Sequence, residues 1–351
     1  MTFRDGSIST RCTNDMCEEK KLKIGIAGLG EHMFCRLLPL LSVLSAQITA
    51  VCDRREQPRE RFRQWYQSVG EYTDIEEMLC RESLAGVICA GDAGFHYAVA
   101  KAAMNRGISA FVEKTPCETY AQALELAAIQ EQTGRFAMVG FNRRFTTAYQ
   151  MAKEIIGRRE FGRPLLYMAK YHSSEYPSDE YFLFNHVIHH LDLARFLMGE
   201  IAGVEAKKVV INPQKVAYHI HFITAAGAMG FIESSSLQQE PYPMARVEIT
   251  GDGCNVIVDN VKHLEYNRKS SLKKDGDPVL LEGHDALCWN YNHGHSGLYG
   301  HYGFERELQL FVQSLFSGQR PESNIAQAAG TMEFYEKIKS CCVTIPVKGG
   351  A

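Results

Sequence analysis

The chain contains the stretch Lys23-Ile24-Gly25-Ile26-Ala27-Gly28-Leu29-Gly30-Glu31-His32-Met33. The apolar residues before Gly28 predict a buried parallel strand, and those after Met33 predict a helix. Between them, a Gly-x-Gly turn lets the chain bend tightly at Gly28 and lets a pyrophosphate approach the backbone at Gly30. The N-terminus of the following helix would attract that anion. This stretch therefore predicts the first strand, turn and helix of a dinucleotide-binding fold.

A carboxylate stands at the end of the next apolar strand, 48–52. This residue, Asp53, lies 23 positions after Gly30 (53 − 30), where the fold places a carboxylate for the ribose hydroxyls of the dinucleotide. Because Asp53 would repel a 2′-phosphate, we expect NAD to be preferred to NADP. The alternatives are that Arg54 or Arg55 pairs with a 2′-phosphate or stacks on adenine, or that both arginines belong to a solvated charge run.

The length, composition and net charge of the chain limit the classes of protein to which it can belong. Its 351 residues favour two domains, and its net charge of −3 indicates no nucleic-acid partner. No apolar run approaches the ~20 residues that span a bilayer, so we expect no membrane partner. Residues 1–20 are polar and predict a mobile extension rather than a secretory signal. Eleven cysteines without a Cys-x-x-Cys pair favour free thiols and a cytoplasmic location.

Residues 21–142 alternate short apolar runs with segments of helical period. This alternation predicts an α/β domain of the Rossmann type with a doubly wound parallel sheet. Asp74 is the expected N-cap of one of its helices. The predicted strands are 22–27, 48–53, 85–90, 108–112 and 136–140, and the predicted helices are 31–45, 58–69, 75–80, 94–106 and 119–133.

The pattern changes in residues 143–351, where runs rich in β-branched and aromatic residues follow one another between glycines and prolines. Such runs predict a C-terminal α+β domain with an open, mostly antiparallel sheet. Residues 266–300 are polar and rich in Gly, His and Asn, which predicts a long loop. The predicted strands are 164–172, 204–211, 216–224, 228–234, 245–250 and 255–259, and the predicted helices are 146–157, 184–198, 303–317 and 324–341.

One group of candidate functional residues follows the ends of the predicted parallel strands, where such sheets bind ligands. Glu113-Lys114-Thr115-Pro116 follows the strand 108–112. Lys114 would donate hydrogen bonds to substrate and cofactor hydroxyls, and its charge would stabilise an alkoxide-like transition state. The alternative is a structural Glu-Lys pair. The predicted cofactor contacts are Gly28, Leu29, Gly30, Glu31, His32, Asp53, Arg54, Ala90, His96, Glu113 and Lys114.

A second group lies on the predicted helix that contains Asn185-His186-Val187-Ile188-His189-His190-Leu191-Asp192. Asn185, His189 and Asp192 are spaced i, i+4 and i+7, which places them on one helix face, whereas His190 lies about 100° further round. A histidine suits the removal of a hydroxyl proton because its pKa lies near neutrality. On spacing alone, either His189 or His190 qualifies as the base.

The same helix also raises the question of a metal site. His186 and His190 have the i, i+4 spacing of metal ligands, but the sequence has neither an HExxH pattern nor an evident third ligand. His293, His295 and His301 lie in a Gly- and Asn-rich segment, which is better interpreted as a solvated loop. We therefore expect no metal.

Several motifs stand in a specific order along the chain. They are Gly28-Leu29-Gly30, Asp53, Glu113-Lys114-Thr115-Pro116, Gly140-Phe141-Asn142-Arg143-Arg144-Phe145, Asn185…His189…Asp192-Leu193…Gly199, and a closing pattern of Glu307, Phe311, Gly318 and Pro321. From Lys21 to Ile345, this order resembles the glucose–fructose oxidoreductase/inositol dehydrogenase (Gfo/Idh/MocA) family. The resemblance implies a Rossmann domain, an open-sheet C-terminal domain, and an NAD(P)-dependent oxidoreductase of sugars, cyclitols or their derivatives that forms dimers or tetramers.

The resemblance also implies roles for individual residues. Lys114 matches the lysine of the family's Glu-Lys-Pro motif, although Thr115 is inserted before the proline, and His189 matches the catalytic histidine. Asn185 replaces the family's aspartate, so it would orient substrate but could not take a proton. His189 would then act without a carboxylate, or with Asp192. The predicted catalytic residues are Lys114, His189 and Asn185, and the predicted substrate contacts are Arg143, Asn185 and Asp192.

A second departure is Met33, which stands where the family has its third glycine. We expect this side chain to loosen helix–strand packing or to narrow the approach of the pyrophosphate. The two departures motivate an alternative function, a dinucleotide-binding sensor or partner protein without turnover. Another alternative is a reductase of the same fold that acts on a non-sugar substrate.

We favour an NAD(P)-dependent oxidoreductase that transfers a hydride between nicotinamide and a secondary alcohol or ketone of a sugar, cyclitol or derivative, which is a small-molecule substrate. We also expect a homodimer or homotetramer, because the predicted helices cover one face of the open sheet and leave the other for a second subunit.

Overall fold

The computed structural model describes residues 22–238, 244–269, 284–291 and 302–347. The extension predicted at 1–20 lies outside these described residues, and so do His293, His295 and His301. Within them, no helix combines the length and the apolar character that crossing a membrane requires.

Six parallel strands form the first sheet. They are β1 (Leu22–Ala27), β2 (Ala46–Cys52), β3 (Gly70–Tyr72), β4 (Gly86–Cys89), β5 (Ser109–Glu113) and β6 (Ala137–Gly140). Their order, β3-β2-β1-β4-β5-β6, changes direction beside β1. The carboxyl ends of β1, β2 and β4 therefore border the crevice in which such sheets bind ligands. This arrangement confirms the predicted Rossmann sheet.

Alternate residues of these strands point to opposite faces of the sheet and belong to two different apolar cores. Helices therefore pack on both faces. Asp74 caps its helix as expected, since its side chain accepts from the Glu77 N–H at 2.9 Å. The predicted helix 58–69 is too long, because pairing with β2 draws the chain into β3. The helices are α1 (Leu38–Leu41), which follows a π-helical turn at Met33–Leu37, α2 (Glu56–Arg63), α3 (Ile75–Arg81), α4 (Ala93–Asn105) and α5 (Tyr120–Thr133).

Nine strands form the second sheet. They are β7 (Leu166–His172), β8 (Ile201–Asn212), β9 (Lys215–Thr224), β10 (Met229–Ser235), β11 (Met244–Thr250), β12 (Asn255–Asp259), β13 (His263–Lys269), β14 (His284–Asn290) and β15 (Val343–Ile345). Their order is β14-β13-β12-β11-β7-β10-β9-β8-β15. The pairs β7–β10 and β8–β15 are parallel and the others antiparallel, which confirms an open, mostly antiparallel sheet.

The prediction of a loop across 266–300 is wrong for β13 and β14. Leu264 and Tyr266 are buried and alternate with polar residues, which is the pattern of a strand with one solvated face. The polar composition of this segment concealed that alternation.

The C-terminal helices connect the two sheets. The second half of the chain contributes α6 (Thr147–Ile156), α7 (Asp179–Phe182), a π-helical turn at Leu183–Val187, α8 (Ile188–Met198), α9 (Phe304–Ser317) and α10 (Ile325–Cys341). The Phe311 ring of α9 lies 5.8 Å from that of Phe111 and 6.1 Å from that of Phe136, on the first sheet. The chain thus packs against the first sheet again after it has built the second.

Candidate active site

The glycine turn after β1 fits a dinucleotide. Gly28 has a φ of 83°, and a Cβ at this position would lie 2.1 Å from the carbonyl oxygen of Ala90, so only glycine allows the turn to pack against the end of β4. At Gly30, a Cβ would meet no heavy atom within 4 Å. Beside it lies a cavity of about 430 Å³, with Arg55 and Arg61 in its lining.

 The turn therefore keeps space beside its backbone for a pyrophosphate, and the 430 Å³ cavity lies next to that space.

Met33, which replaces the third glycine, does not face this space. Its side chain is fully buried in the core formed by Ile24, Ile26 and their neighbours. The helix starts with the π-helical turn Met33–Leu37, in which Met33 is accommodated. The expectation that Met33 narrows the pyrophosphate approach is therefore wrong.

Asp53 lies at the end of β2 as predicted, but protein groups already occupy its carboxylate. Oδ2 accepts from the Leu29 N–H at 2.9 Å, and both oxygens accept from the Arg55 guanidinium at 3.0–3.1 Å. Burial opposes ionisation of Asp53, but these hydrogen bonds outweigh it and lower the pKa of the carboxyl. Arg55 is largely exposed and would have to share the carboxylate with a ribose. Arg54 is exposed.

The side chain of His96 is fully buried, so the prediction that it contacts the cofactor is wrong. Its Nε2 atom accepts from the Gly91 N–H at 2.8 Å, and its Nδ1 atom lies 2.9 Å from the Thr115 carbonyl oxygen. Burial lowers the pKa of His96, which keeps the ring neutral with Nδ1–H as the donor. His96 thereby fixes the turn after Ala90 relative to the Lys114–Thr115 segment.

Glu113 is also buried, and its Oε1 atom lies 3.0 Å from Nε2 of His32. Burial raises the pKa of Glu113, but His32 and Lys114 outweigh this effect and lower it. The Glu113 carboxylate therefore faces His32, just after the glycine turn, rather than the open cleft. This contact connects the glycine turn to the end of β5, where Lys114 lies.

A second buried carboxyl lies close enough to interact with Glu113. Glu307 on α9 is fully buried, and neither of its oxygens has a hydrogen-bond partner among the described residues. Burial, together with the charge of Glu113, raises the pKa of Glu307 well above its usual value. We therefore assign a neutral Glu307 beside an ionised Glu113. The sequence showed Glu307 as a motif residue but gave no sign of this environment.

Lys114 joins the end of β5 to the helical segment that carries the histidines. Its Nζ atom donates to the carbonyl oxygen of Asn185 at 3.1 Å, and the Thr115 hydroxyl donates to that of Phe184 at 2.7 Å. Both acceptors lie in the π-helical turn Leu183–Val187, and such turns occur frequently at functional sites. Burial lowers the pKa of Lys114, while Glu113 partly opposes the shift.

The structure distinguishes the two candidate bases. His190 is fully buried against the Tyr171 ring, with centroids 4.7 Å apart, and no described residue forms a hydrogen bond with either of its nitrogens. His189 is partly exposed, and its Nδ1 atom is enclosed without a hydrogen-bond partner among the residues that the structure describes. Burial, followed by the charges of Lys114 and Arg143, lowers the pKa of His189 well below its usual value. His189 is therefore neutral at pH 7, with Nε2 as its accessible nitrogen.

Three further side chains belong to this site, two of which the sequence did not single out. The Arg143 guanidinium carbon lies 5.3 Å from the centroid of the Tyr171 ring, and its charge acts on His186, His189 and His190. The Tyr176 hydroxyl lies 3.0 Å from Nδ1 of His186. Burial and the charges of Lys114 and Arg143 lower the pKa of His186 to about 3. Tyr171 and Tyr176 have no local motif by which the sequence could reveal them.

Asp192 does not belong with these residues, and its predicted contact with substrate is wrong. Its side chain is 1% exposed, and its carboxylate accepts two hydrogen bonds from Arg144 at 2.5 and 2.6 Å. The Thr331 hydroxyl donates a third at 3.0 Å. Asp192 therefore connects α8 to α10 and to the segment after β6 through a buried ion pair. Since both oxygens are occupied, it is also unavailable to assist His189.

Among the described residues, no group of three or more His, Cys, Asp or Glu side chains is arranged to hold a metal ion. Nine cysteines within those ranges are free thiols.

Comparisons with known proteins identify the family of this chain. The model of the oxidoreductase family with an NAD-binding Rossmann fold (Gfo/Idh/MocA) matches residues 22–141, and the model of the Gfo/Idh/MocA C-terminal domain matches residues 149–256. Together the two models match more than half of the chain. The chain belongs to the Gfo/Idh/MocA family. The resemblance inferred from the motifs is thus confirmed, and the family's N-terminal domain is an NAD-binding one.

The curated relatives are distant. The chain is 26% identical over 227 residues to inositol 2-dehydrogenase from Streptomyces avermitilis, a match that covers 60% of the chain and 65% of the relative. It is 26% identical over 189 residues to inositol 2-dehydrogenase from Salmonella typhimurium, which covers 51% of the chain and 55% of the relative. The scyllo-inositol 2-dehydrogenase (NAD(+)) from Bacillus subtilis is 25% identical over 296 residues, 78% of the chain and 85% of the relative. The chain therefore matches less than two thirds of the length of the first two relatives.

Solved structures share the whole fold. A dehydrogenase from Chromobacterium violaceum aligns with a TM-score of 0.82 at 22% identity, over 92% of this chain and 95% of that one. An oxidoreductase from Agrobacterium radiobacter, in complex with NAD+, L-tartaric acid and magnesium, aligns with a TM-score of 0.77 at 19% identity, over 92% and 96% of the two chains. At this identity, the likeness shows the fold alone.

Proposed function

We propose that the protein is an NAD-dependent oxidoreductase that interconverts a secondary alcohol and a ketone on a small sugar, cyclitol or derivative. The observation that carries this proposal is the contact between the Lys114 ammonium and the Asn185 carbonyl oxygen, one helical turn before His189. It brings a cationic hydrogen-bond donor and a neutral histidine to one cleft, next to a turn that fits a dinucleotide. The relatives named as inositol dehydrogenases support the same chemistry.

The cofactor fits the glycine turn, the open space over Gly30 and the carboxylate of Asp53, and the proposed contacts also include the exposed Arg54. When bound, NAD supplies the acceptor for the hydride that leaves the carbinol carbon. Because Arg55 neutralises Asp53 in this structure, NADP stays the alternative cofactor. The open space over Gly30 does not distinguish between NAD and NADP.

Side chains of this protein remove the hydroxyl proton of the substrate and orient the substrate oxygen. Nε2 of His189 takes the hydroxyl proton, so that loss of hydride from the same carbon leaves a ketone. The Lys114 ammonium has three N–H donors, of which one binds the Asn185 carbonyl oxygen. The others orient the substrate oxygen and stabilise the negative charge that develops on it. The Asn185 amide orients a neighbouring hydroxyl and takes no proton.

The test is the formation of NADH from NAD+ with a panel of sugars, cyclitols and their acids. We expect turnover that Lys114→Ala lowers in both kcat and substrate affinity, while Lys101→Ala, which removes an exposed lysine of α4, serves as the matched control. NADH binding without turnover of any panel member would contradict the proposal and favour the sensor function. Turnover that survives Lys114→Ala unchanged would contradict the role given to this lysine.

We also propose that the protein is a homodimer or homotetramer. The face of the second sheet opposite its helices exposes a row of apolar side chains, namely Leu166, Met168, Ile223, Met229 and Met244, each 37–58% exposed. Such a surface is typical of a subunit interface, and a second copy of the sheet would cover it. Light scattering at micromolar concentration tests this proposal, and a monomer would contradict it. The nine free thiols support a reducing, cytoplasmic location.

A further inference from the structure

Arg143 lies in the cleft without an acidic partner. Among the described residues, no carboxylate lies within ion-pair distance of its guanidinium, whereas the next residue, Arg144, is fully engaged by Asp192. Arg143 is partly buried, its guanidinium carbon lies 5.3 Å from the centroid of the Tyr171 ring, and its charge acts on the buried, neutral Tyr149 hydroxyl. A cation that is partly removed from water in this way has lost hydration without gaining an anion.

The other charged and titratable groups of the cleft do not balance this cation. Lys114 adds a second positive charge, and its neighbour Glu113 is buried and shared with His32. The histidines that face Arg143 are His186, His189 and His190, and no carboxylate among the described residues lowers or raises their pKa values. At the position where a carboxylate would be expected from the family pattern, the chain has the neutral Asn185. The cleft therefore carries an excess of positive charge.

We propose that the substrate carries a carboxylate, and that Arg143 binds it. This inference rests on the proposed function and narrows its substrate class to acidic sugars or polyols. The guanidinium presents parallel N–H donors that match the two oxygens of a carboxylate. Lys114 then stays available for the reacting hydroxyl, beside His189. A bound carboxylate also offsets the positive field that Lys114 and Arg143 exert on His189, which makes this histidine a better base in the complex than in the free protein.

The test measures equilibrium binding by calorimetry to the protein loaded with NADH, so that it does not depend on turnover. D-Gluconate and D-glucitol form a matched pair of probes, because they differ in the group at one terminal carbon. D-Glucose 6-phosphate, compared with D-glucose, tests a phosphate in place of a carboxylate. We expect gluconate to bind at least tenfold more tightly than glucitol and more tightly than glucose 6-phosphate.

Two variants assign the preference to Arg143. Arg143→Gln should weaken gluconate binding by about thirtyfold or more, the usual cost of removing one partner of a desolvated charge pair, and Arg143→Lys should restore part of it. Arg159→Gln, which removes an exposed arginine, should change nothing. Retained NADH binding shows that each variant is folded.

Several results would overturn the inference. These are equal affinity for gluconate and glucitol, tighter binding of glucose 6-phosphate than of gluconate, or an Arg143→Gln variant that keeps the wild-type preference. If gluconate binds as expected while no acidic or neutral panel member is oxidised, the carboxylate site stands and the proposed oxidoreductase activity fails.

Discussion

Replacing Glu307 with glutamine should flatten the pH dependence of the protein's stability. The Glu307 carboxyl is fully buried, its oxygens lack a hydrogen-bond partner in the described part of the chain, and it lies near the ionised Glu113. The folded protein therefore keeps a proton on Glu307 that the unfolded chain releases above about pH 4.5, the ordinary pKa of a glutamate. Folding takes up this proton, so raising the pH disfavours the folded state.

The magnitude follows from the proton count. While Glu307 stays protonated in the folded state, one proton taken up on folding lowers the free energy of unfolding by about 1.4 kcal/mol per pH unit. This contribution accumulates with each pH unit above about 4.5, until the folded protein also releases the proton. Glutamine has nearly the same shape and carries no titrating proton, so Glu307→Gln should lack this loss and overtake the wild type as the pH rises.

Urea denaturation at a series of pH values between 6 and 8 measures the effect, as the difference in unfolding free energy between variant and wild type. Glu305→Gln is the matched control, because it removes a solvent-accessible carboxyl from the same helix. Parallel pH profiles for Glu307→Gln and the wild type would refute the reasoning. So would a variant that is less stable than the wild type by the same amount at every pH.

The remaining predictions concern the cleft and its support. His189→Ala should lower kcat by about 10²–10⁴-fold, the usual contribution of a general base, whereas His190→Ala should cost stability and leave kcat nearly intact; steady-state kinetics with equal losses would reject this assignment. Asp192→Asn should cost about 3–5 kcal/mol in urea denaturation, because it leaves the buried Arg144 without its partner, and an unchanged midpoint would contradict the ion pair. NADH should bind more tightly than NADPH in a fluorescence titration because of Asp53, and the opposite order would assign a 2′-phosphate to its arginine neighbours.

Local patterns in the sequence were sufficient for the order of the elements and for the first residues of the site. Gly28 could be recognised because a buried strand, a tight turn and a helix each require particular residue types, and here the three follow one another within a few residues. Lys114 was predicted as a site residue because ligands bind open parallel sheets at the carboxyl ends of their strands. The Rossmann sheet and most strands of the second sheet were likewise predicted close to their observed bounds.

The partners of buried charges were decided by the tertiary structure, because they come from distant parts of the chain. Asp192 has helical spacing with His189, yet its carboxylate pairs with Arg144, 48 positions away. Glu307 is neutral because α9 returns to the first sheet and buries it near Glu113, a contact that no local pattern encodes. His189 and His190 are equivalent in sequence, and it is the packing of Tyr171 against His190 that leaves His189 as the accessible imidazole. Sequence spacing specifies which side chains share a face, whereas desolvation and long-range pairing determine which of them remain free for chemistry.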